Sequence, residues 1–149
     1  MADATTEEIQ QLVAALDRGR QAWISGQLET TATEHMAQAD DMIVYGPFGG
    51  AAVPALPAVQ TRIAAQFHGG TGHTELVRAF ANGDLLVLVL LEHNTVDFEG
   101  HPAHPWTLRT TQVFRRDGVR WLRLHRHADP LVQRRSLDAT LALMTEAVP

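Results

Sequence analysis

Apolar residues at Ile9, Leu12, Val13, Leu16 and Trp23 keep the spacing of one helical face, and Thr5 followed by Glu8 forms a capping-box pair that satisfies free backbone donors. This predicts a first helix ending at Gly26. Helical spacing resumes at Leu28, Ala32, His35, Met36 and Ala39 and stops at Asp40-Asp41, which predicts a second helix. Met42 to Tyr45 reads as a short strand, ended by the glycine-rich loop Gly46-Pro47-Phe48-Gly49-Gly50. Beyond Pro54 and Pro57, the spacing of Val59, Ile63 and Phe67 predicts a third, short helix closed by His68-Gly69-Gly70.

From His73 onward the period changes from helical to extended. His73 to Ala81 is a strand, Asn82-Gly83 is a two-residue hairpin signal, and Leu85 to Phe98 is apolar enough to be a long strand buried on both faces. A loop through Gly100-His101-Pro102-Ala103-His104-Pro105 leads into a strand from Trp106 to Arg115. Asp117-Gly118 then turns the chain into a strand from Arg120 to Asp129. Pro130 stops that strand, and Leu137, Leu141 and Met144 suggest a terminal helix or tail over 131–149. The expected class is α+β: a curved antiparallel sheet, a cone-shaped barrel, packed on about three N-terminal helices around an internal pocket.

The order of elements and two local motifs carry a resemblance. Ala39-Asp40-Asp41-Met42-Ile43-Val44-Tyr45-Gly46-Pro47-Phe48-Gly49 resembles the segment after the second helix in ketosteroid isomerases and SnoaL-like proteins. Arg115-Arg116-Asp117-Gly118, Trp121 and His125-Arg126-His127 resemble the final hairpin of SnoaL-like proteins and of the calcium/calmodulin-dependent kinase association domain. The resemblance implies a nuclear transport factor two-like, SnoaL-like domain spanning 1–149. That fold carries isomerases, cyclases, hydratases and association modules alike, so it does not name a function.

Composition narrows the classes. The 149 residues are 45% hydrophobic and 19% charged, as expected for one globular domain, and the net charge of −5 with only short arginine clusters argues against nucleic acid as a partner. There is no cysteine, which excludes disulfides and thiol nucleophiles. The start MADATTEEIQ lacks a basic region and an apolar core, and the longest apolar run, Leu85 to Leu91, is too short to span a bilayer. The expectation is a cytoplasmic protein with no membrane partner.

The candidate chemistry depends on strand register. Loops centred on Asn82-Gly83, near Gly100 and near Gly118 would align His73, Glu92, Arg109 and His127 in one row on one sheet face, with Glu75, Leu90, Thr111 and His125 in the next. Glu92 interrupts an apolar run and needs a partner, and Arg109 would be the favoured one, in a catalytic or a purely structural ion pair. His125 and His127 share a face; they read as pocket-lining hydrogen-bonding groups, with no metal and no cofactor expected. Asp41 and Tyr45 share a face of the first strand, with His35 above it. Asp41 would orient Tyr45 as a hydrogen-bond donor, or Tyr45 is core with a wet hydroxyl. Trp23, Phe48, Phe67, Phe80 and Trp106 would form apolar walls, with Asn94 facing the pocket, and Trp121 is assigned to structure.

The ketosteroid isomerase resemblance is tested residue by residue. The position of its aspartate base is Gly46, that of its tyrosine is Gly19, and its second oxyanion donor falls near Thr111, so its familiar mechanism is not expected. Two readings follow. One is a cofactor-independent acid–base enzyme of isomerase, cyclase or lyase type, acting on a small apolar molecule such as a polyketide, terpenoid or steroid-like compound. In it His127 and Glu92 exchange protons, Arg109 and Thr111 stabilise an anion, and Tyr45 donates a hydrogen bond. The other is a non-catalytic ligand-binding or association domain that dimerises through its outer sheet face; the homodimer is implied by the resemblance alone.

Overall fold

The structure is a computed structural model and describes residues 2–27 and 35–146. The order is α1 (Thr6–Ile24), β1 (Met36–Tyr45), β2 (Val53–Pro54), α2 (Pro57–Ala64), β3 (Phe67–Asn82), β4 (Leu85–Phe98), β5 (His101–Pro105), β6 (Leu108–Asp117), β7 (Arg120–Pro130) and α3 (Leu137–Leu143). The sheet runs β2-β1-β7-β6-β4-β3, with β5 paired to the outer half of β4. It is curved, unclosed and mixed: the α+β class stands, but β1 lies parallel to β7, where an all-antiparallel sheet was expected.

Helix α1 begins as its sequence dictates. The Thr5 backbone N–H donates to Glu8 Oε2 at 2.7 Å and the Glu8 N–H donates to Thr5 Oγ1 at 3.2 Å. It ends in a Schellman turn, in which Gly26 donates to the Trp23 carbonyl at 2.9 Å and Gln27 to that of Ala22 at 3.0 Å. Gly26 adopts φ 76°, and a Cβ there would sit 2.5 Å from the Phe67 carbonyl oxygen, so the turn requires glycine twice over.

The second predicted helix is corrected. Residues 28–34, with Leu28 and Ala32, lie outside the described residues. Met36 to Ala39 belong to β1, where the spacing read as helical serves a strand whose first two residues are buried. Asp40 and Asp41 are exposed strand residues and do not end a helix. The third helix is present as α2, but Phe67 opens β3 instead of completing the helical face.

Helix α1 covers the inner face of the sheet. Leu12 and Leu16 meet Leu86, Leu88 and Leu90 of β4, with Met36, Phe114 and Trp121, in one buried cluster. Ile24, Phe67 and Val96 make a second, flanked by Trp23, Ile63, Phe98 and Trp106. Strand β4 alternates from Leu85 to Asp97, its even residues buried and its odd ones half-buried or exposed. It therefore has one covered face, and the expectation of burial on both faces is not met.

Candidate functional site

Register decides what faces inward, and here it departs from expectation. The hairpin turn is Gly83-Asp84, flanked by the Asn82–Leu85 pair, and a bulge between Leu76 and Arg78 shifts β3 again, so His73 pairs with His93 and Thr74 with Glu92. The insertion of β5 sets Glu92 opposite Leu108, and Arg109 pairs with Asp129. A bulge between Val113 and Phe114 takes up one extra residue of β7, which sets His125 opposite Val113 and His127 opposite Thr111. Each slip of one residue turns the side chains to the other face. Neither expected row exists: Glu92 points in, and Arg109, Thr111 and His127 are exposed on the outer face.

The inner face carries a cavity of about 300 Å3 between α1, α2, the glycine loop and the sheet. Trp23, Phe67, Trp106 and Phe48 wall it, with Ile63 and Leu108. Phe67 meets Trp23 and Trp106 edge-on at 6.1 and 5.9 Å, and Phe48 lies 5.7 Å from Trp106 at the rim. The expected wall residue Phe80 is 53% exposed, and by its pairing with Val87 it belongs to the outer face. Gly19 and Gly46 both line the cavity and bring no functional group to it.

The floor is polar and cationic. Glu92 and Asn94 are buried there, and Glu92 is held by Arg126, whose Nη2 reaches its two oxygens at 2.9 and 3.0 Å. Arg123 Nη1 donates to Gln112 Oε1 at 2.9 Å, while its Nε is buried with no partner. Burial, and then repulsion from Arg126, push the Arg123 pKa down to about 10 against the opposing pull of Glu92.

Arg20 reaches the floor from α1, and each of its three nitrogens donates a bond, to Asp17 (3.0 Å), Asn94 Oδ1 (2.8 Å) and the Gly72 carbonyl (2.9 Å). Asn94 in turn donates to the Trp106 carbonyl at 3.0 Å. Burial opposes ionisation of Asp17, but hydrogen bonds from Arg20 and from Thr74 outweigh it and hold the carboxyl below its usual range. With Arg20 balanced by Asp17 and one arginine by Glu92, the floor keeps one guanidinium charge uncompensated among the described residues. No histidine lines this cavity.

The remaining expected site residues lie elsewhere. Tyr45, 40% exposed, packs on the outer face against His127 (5.3 Å) and His125 (5.8 Å), and His125 Nδ1 donates to the Ile43 carbonyl at 3.0 Å. His127 Nε2 lies 3.4 Å from Asp129, which Arg109 approaches at 3.7 Å. Asp41 is exposed and does not meet Tyr45. His35 precedes β1, its carbonyl accepting the Trp121 N–H at 2.9 Å, and it does not line the cavity. The sequence reading missed Arg20, Gln112, Arg123 and Arg126. The signal for Arg20 was present, since it continues the Leu12-Leu16 face at helical spacing. Arg126 was hidden by the one-residue shift between β4 and β6, and Arg123 by the bulge in β7.

Among the described residues no three histidine, aspartate or glutamate side chains converge as a metal would need, and no helix is long and apolar enough to cross a membrane.

No family model matches the chain, and no curated protein matches it. Solved structures do. An NTF2-like family protein from Streptomyces avermitilis aligns with TM-score 0.65 at 20% identity over 85% of this chain and 95% of its own. An NTF2-like protein with a cystatin-like fold from Novosphingobium aromaticivorans aligns at 0.62 and 20%, over 93% and 87%. The association domain of C. elegans CaMKII aligns at 0.61 and 15%, over 83% and 95%. Together with the helix-backed curved sheet and its internal cavity, these likenesses identify the architecture of this chain as the NTF2-like fold.

Proposed function

We propose that the cavity binds a small amphipathic monoanion, an apolar body carrying one carboxylate. The observation that carries the reading is the floor: Arg123 and Arg126 face the cavity together, and among the described residues only one carboxylate answers them and Arg123 Nε has no partner. A buried guanidinium N–H without an acceptor is costly, and an incoming carboxylate would give Arg123, now bonded only to the neutral Gln112 oxygen, a charge partner in an aromatic-walled space. A cavity of about 300 Å3 suits a ligand of roughly ten to fifteen heavy atoms by the usual range for small-molecule sites. A thermal-shift comparison of matched carboxylates, alcohols and amines on one apolar skeleton tests it. Stabilisation by the carboxylate alone supports the reading; equal stabilisation by the alcohol sinks it.

A second reading rests on Glu92, the one site carboxylate of the acid–base hypothesis that lies in the cavity. If a substrate anion takes over Arg126, Glu92 is released beside the bound molecule and can act as a base, giving cofactor-independent isomerase, cyclase or lyase chemistry on an apolar acid. His127, Arg109, Tyr45 and Asp41 take no part in it. Turnover of a bound carboxylate that vanishes in Glu92→Gln while binding persists is the expected result.

We also infer self-association as a homodimer through the outer sheet face. Ile43 and Tyr45 of β1, Phe80 of β3 and Leu85 of β4 are 40–53% exposed there, with Val87, Val89 and Leu91 half-buried between them. The similarity to an association domain supports it.

A further inference from the structure

Helix α3 has no place in its own protomer. Its residues Leu137–Leu143 include none that is buried, and Leu137, Leu141 and Met144 stand 72%, 52% and 71% exposed. Spaced i, i+4 and i+7, they form one apolar stripe, with Asp138, Ala142 and Thr145 to one side of it. The helix is formed deliberately, its N-terminus capped by Ser136 Oγ, which accepts the Ala139 N–H at 3.2 Å. Yet isolated helices shorter than about 12 residues are marginal in water. A capped seven-residue helix with a clean stripe therefore calls for a surface to lie on.

The same chain carries an unfilled surface of the right kind. On the outer sheet face four cross-strand rows follow from the pairing: Asn82-Leu85-Arg115-Leu122, Phe80-Val87-Val113-His125-Ile43, Arg78-Val89-Thr111-His127-Tyr45, and Glu75-Leu91-Arg109-Asp129. The two middle rows carry Phe80, Val87, Val113, Ile43, Val89 and Tyr45 among Arg78, Thr111, His125 and His127, and Glu75 and Asp129 end the last row, the first bonded to His93 at 2.8 Å and the second 3.7 Å from Arg109. The tail brings Arg134 and Arg135 just ahead of the α3 cap, opposite in sign to the net charge of −1 that Glu75, Arg109 and Asp129 give that row. Five strands about 4.8 Å apart, over rows that span roughly 20 Å, make a field of roughly 500 Å2, short of the about 800 Å2 per partner of a stable dimer. A helix stripe and its linker from each chain would supply the remainder.

We propose that α3 of one copy docks across the outer sheet face of a second copy, and that the second copy returns the contact. This deepens the self-association reading and rests on it. A reciprocal arrangement closes on itself as a two-fold dimer.

The test is sedimentation of the full chain at high micromolar concentration, with wild type, Leu137→Glu/Leu141→Glu and Thr111→Glu. The expected result is a wild-type dimer whose dissociation constant rises at least about tenfold in each variant, with unchanged monomer melting because all three positions are exposed. Because the chain has no cysteine, Leu141→Cys chains mixed with Thr111→Cys chains and oxidised should yield the mixed disulfide dimer. A monomeric wild type would overturn both the dimer and the tail contact. A dimer indifferent to Leu137→Glu/Leu141→Glu and giving no mixed disulfide would overturn the tail contact alone, as would a disulfide that forms only within a chain carrying both cysteines.

Discussion

Replacing Arg123 by methionine separates a binding residue from a structural one. The guanidinium has its pKa held down to about 10, roughly 2.5 pH units below an ordinary arginine, and at about 1.4 kcal/mol per unit its charged form is worse off in the folded protein by about 3 kcal/mol. Removing it also strands the buried Gln112 oxygen, at a cost of about 1–2 kcal/mol. Methionine fills a similar volume without a charge. The net expectation is a variant about 1–2 kcal/mol more stable than wild type in the absence of ligand, a rise of about 2–8 °C in melting temperature for a chain of this size. The pH dependence has a definite sign. The folded state releases this proton more readily than the unfolded one, so wild type gains stability as pH rises through about 10, and the advantage of the variant narrows there while staying flat from pH 6 to 8. Urea denaturation at pH 7 and pH 10.5 measures both. A variant less stable than wild type by 1 kcal/mol or more at pH 7 would mean that Arg123 already has its counterpart within the fold, and the argument for a vacancy filled by ligand would fail.

Four further outcomes follow from the geometry. Glu92→Gln strips Arg126 of its charge partner and should cost about 2–4 kcal/mol in urea denaturation, most of it restored when Arg126→Leu is added. Gly26→Ala forces a Cβ against the Phe67 carbonyl at a left-handed φ and should cost at least about 1–2 kcal/mol, whereas Gly118→Ala, at φ 61° but with open space around it, should cost only about 1 kcal/mol. Thr5→Ala removes half of the capping box and should cost about 1 kcal/mol. The other half titrates: the hydrogen bond from Arg116, and then that from the Thr5 N–H, hold the Glu8 pKa below its usual range. Its contribution is present above the ordinary glutamate range and is lost as pH falls through the lowered value, so the loss caused by Glu8→Gln should shrink on acidification.

The fold was legible because it rests on signals that act locally. The Thr5-Glu8 box, the Gly26 stop, the apolar run of β4 and the turns near Gly83 and Gly118 each constrain a few neighbouring residues, and together they leave few topologies. The aromatic walls were legible too, since Trp23, Phe67 and Trp106 have no better place than the core. The site floor was not, because a face assignment along a strand inherits every upstream slip. Inserting β5 after Phe98 shifted β6 against β4 by one residue, which was enough to exchange Arg126 for His125 and His127, and the bulge of β7 at Leu124 brought Arg123 to the same side. Bulges of this kind have no fixed sequence signature. Glu92 was identified as a buried carboxylate needing a partner, and that physical demand holds: the partner is Arg126 instead of Arg109.

The claim on which the account turns is that the cavity floor seeks an anion. Titration calorimetry of one apolar carboxylate and its methyl ester against wild type and Arg123→Met measures it directly. The expected result is that wild type prefers the acid by at least about tenfold, a gap of about 1.4 kcal/mol, and that the preference collapses in Arg123→Met with ester binding unchanged. Equal affinity for acid and ester in wild type, or a preference that survives in Arg123→Met, would contradict it.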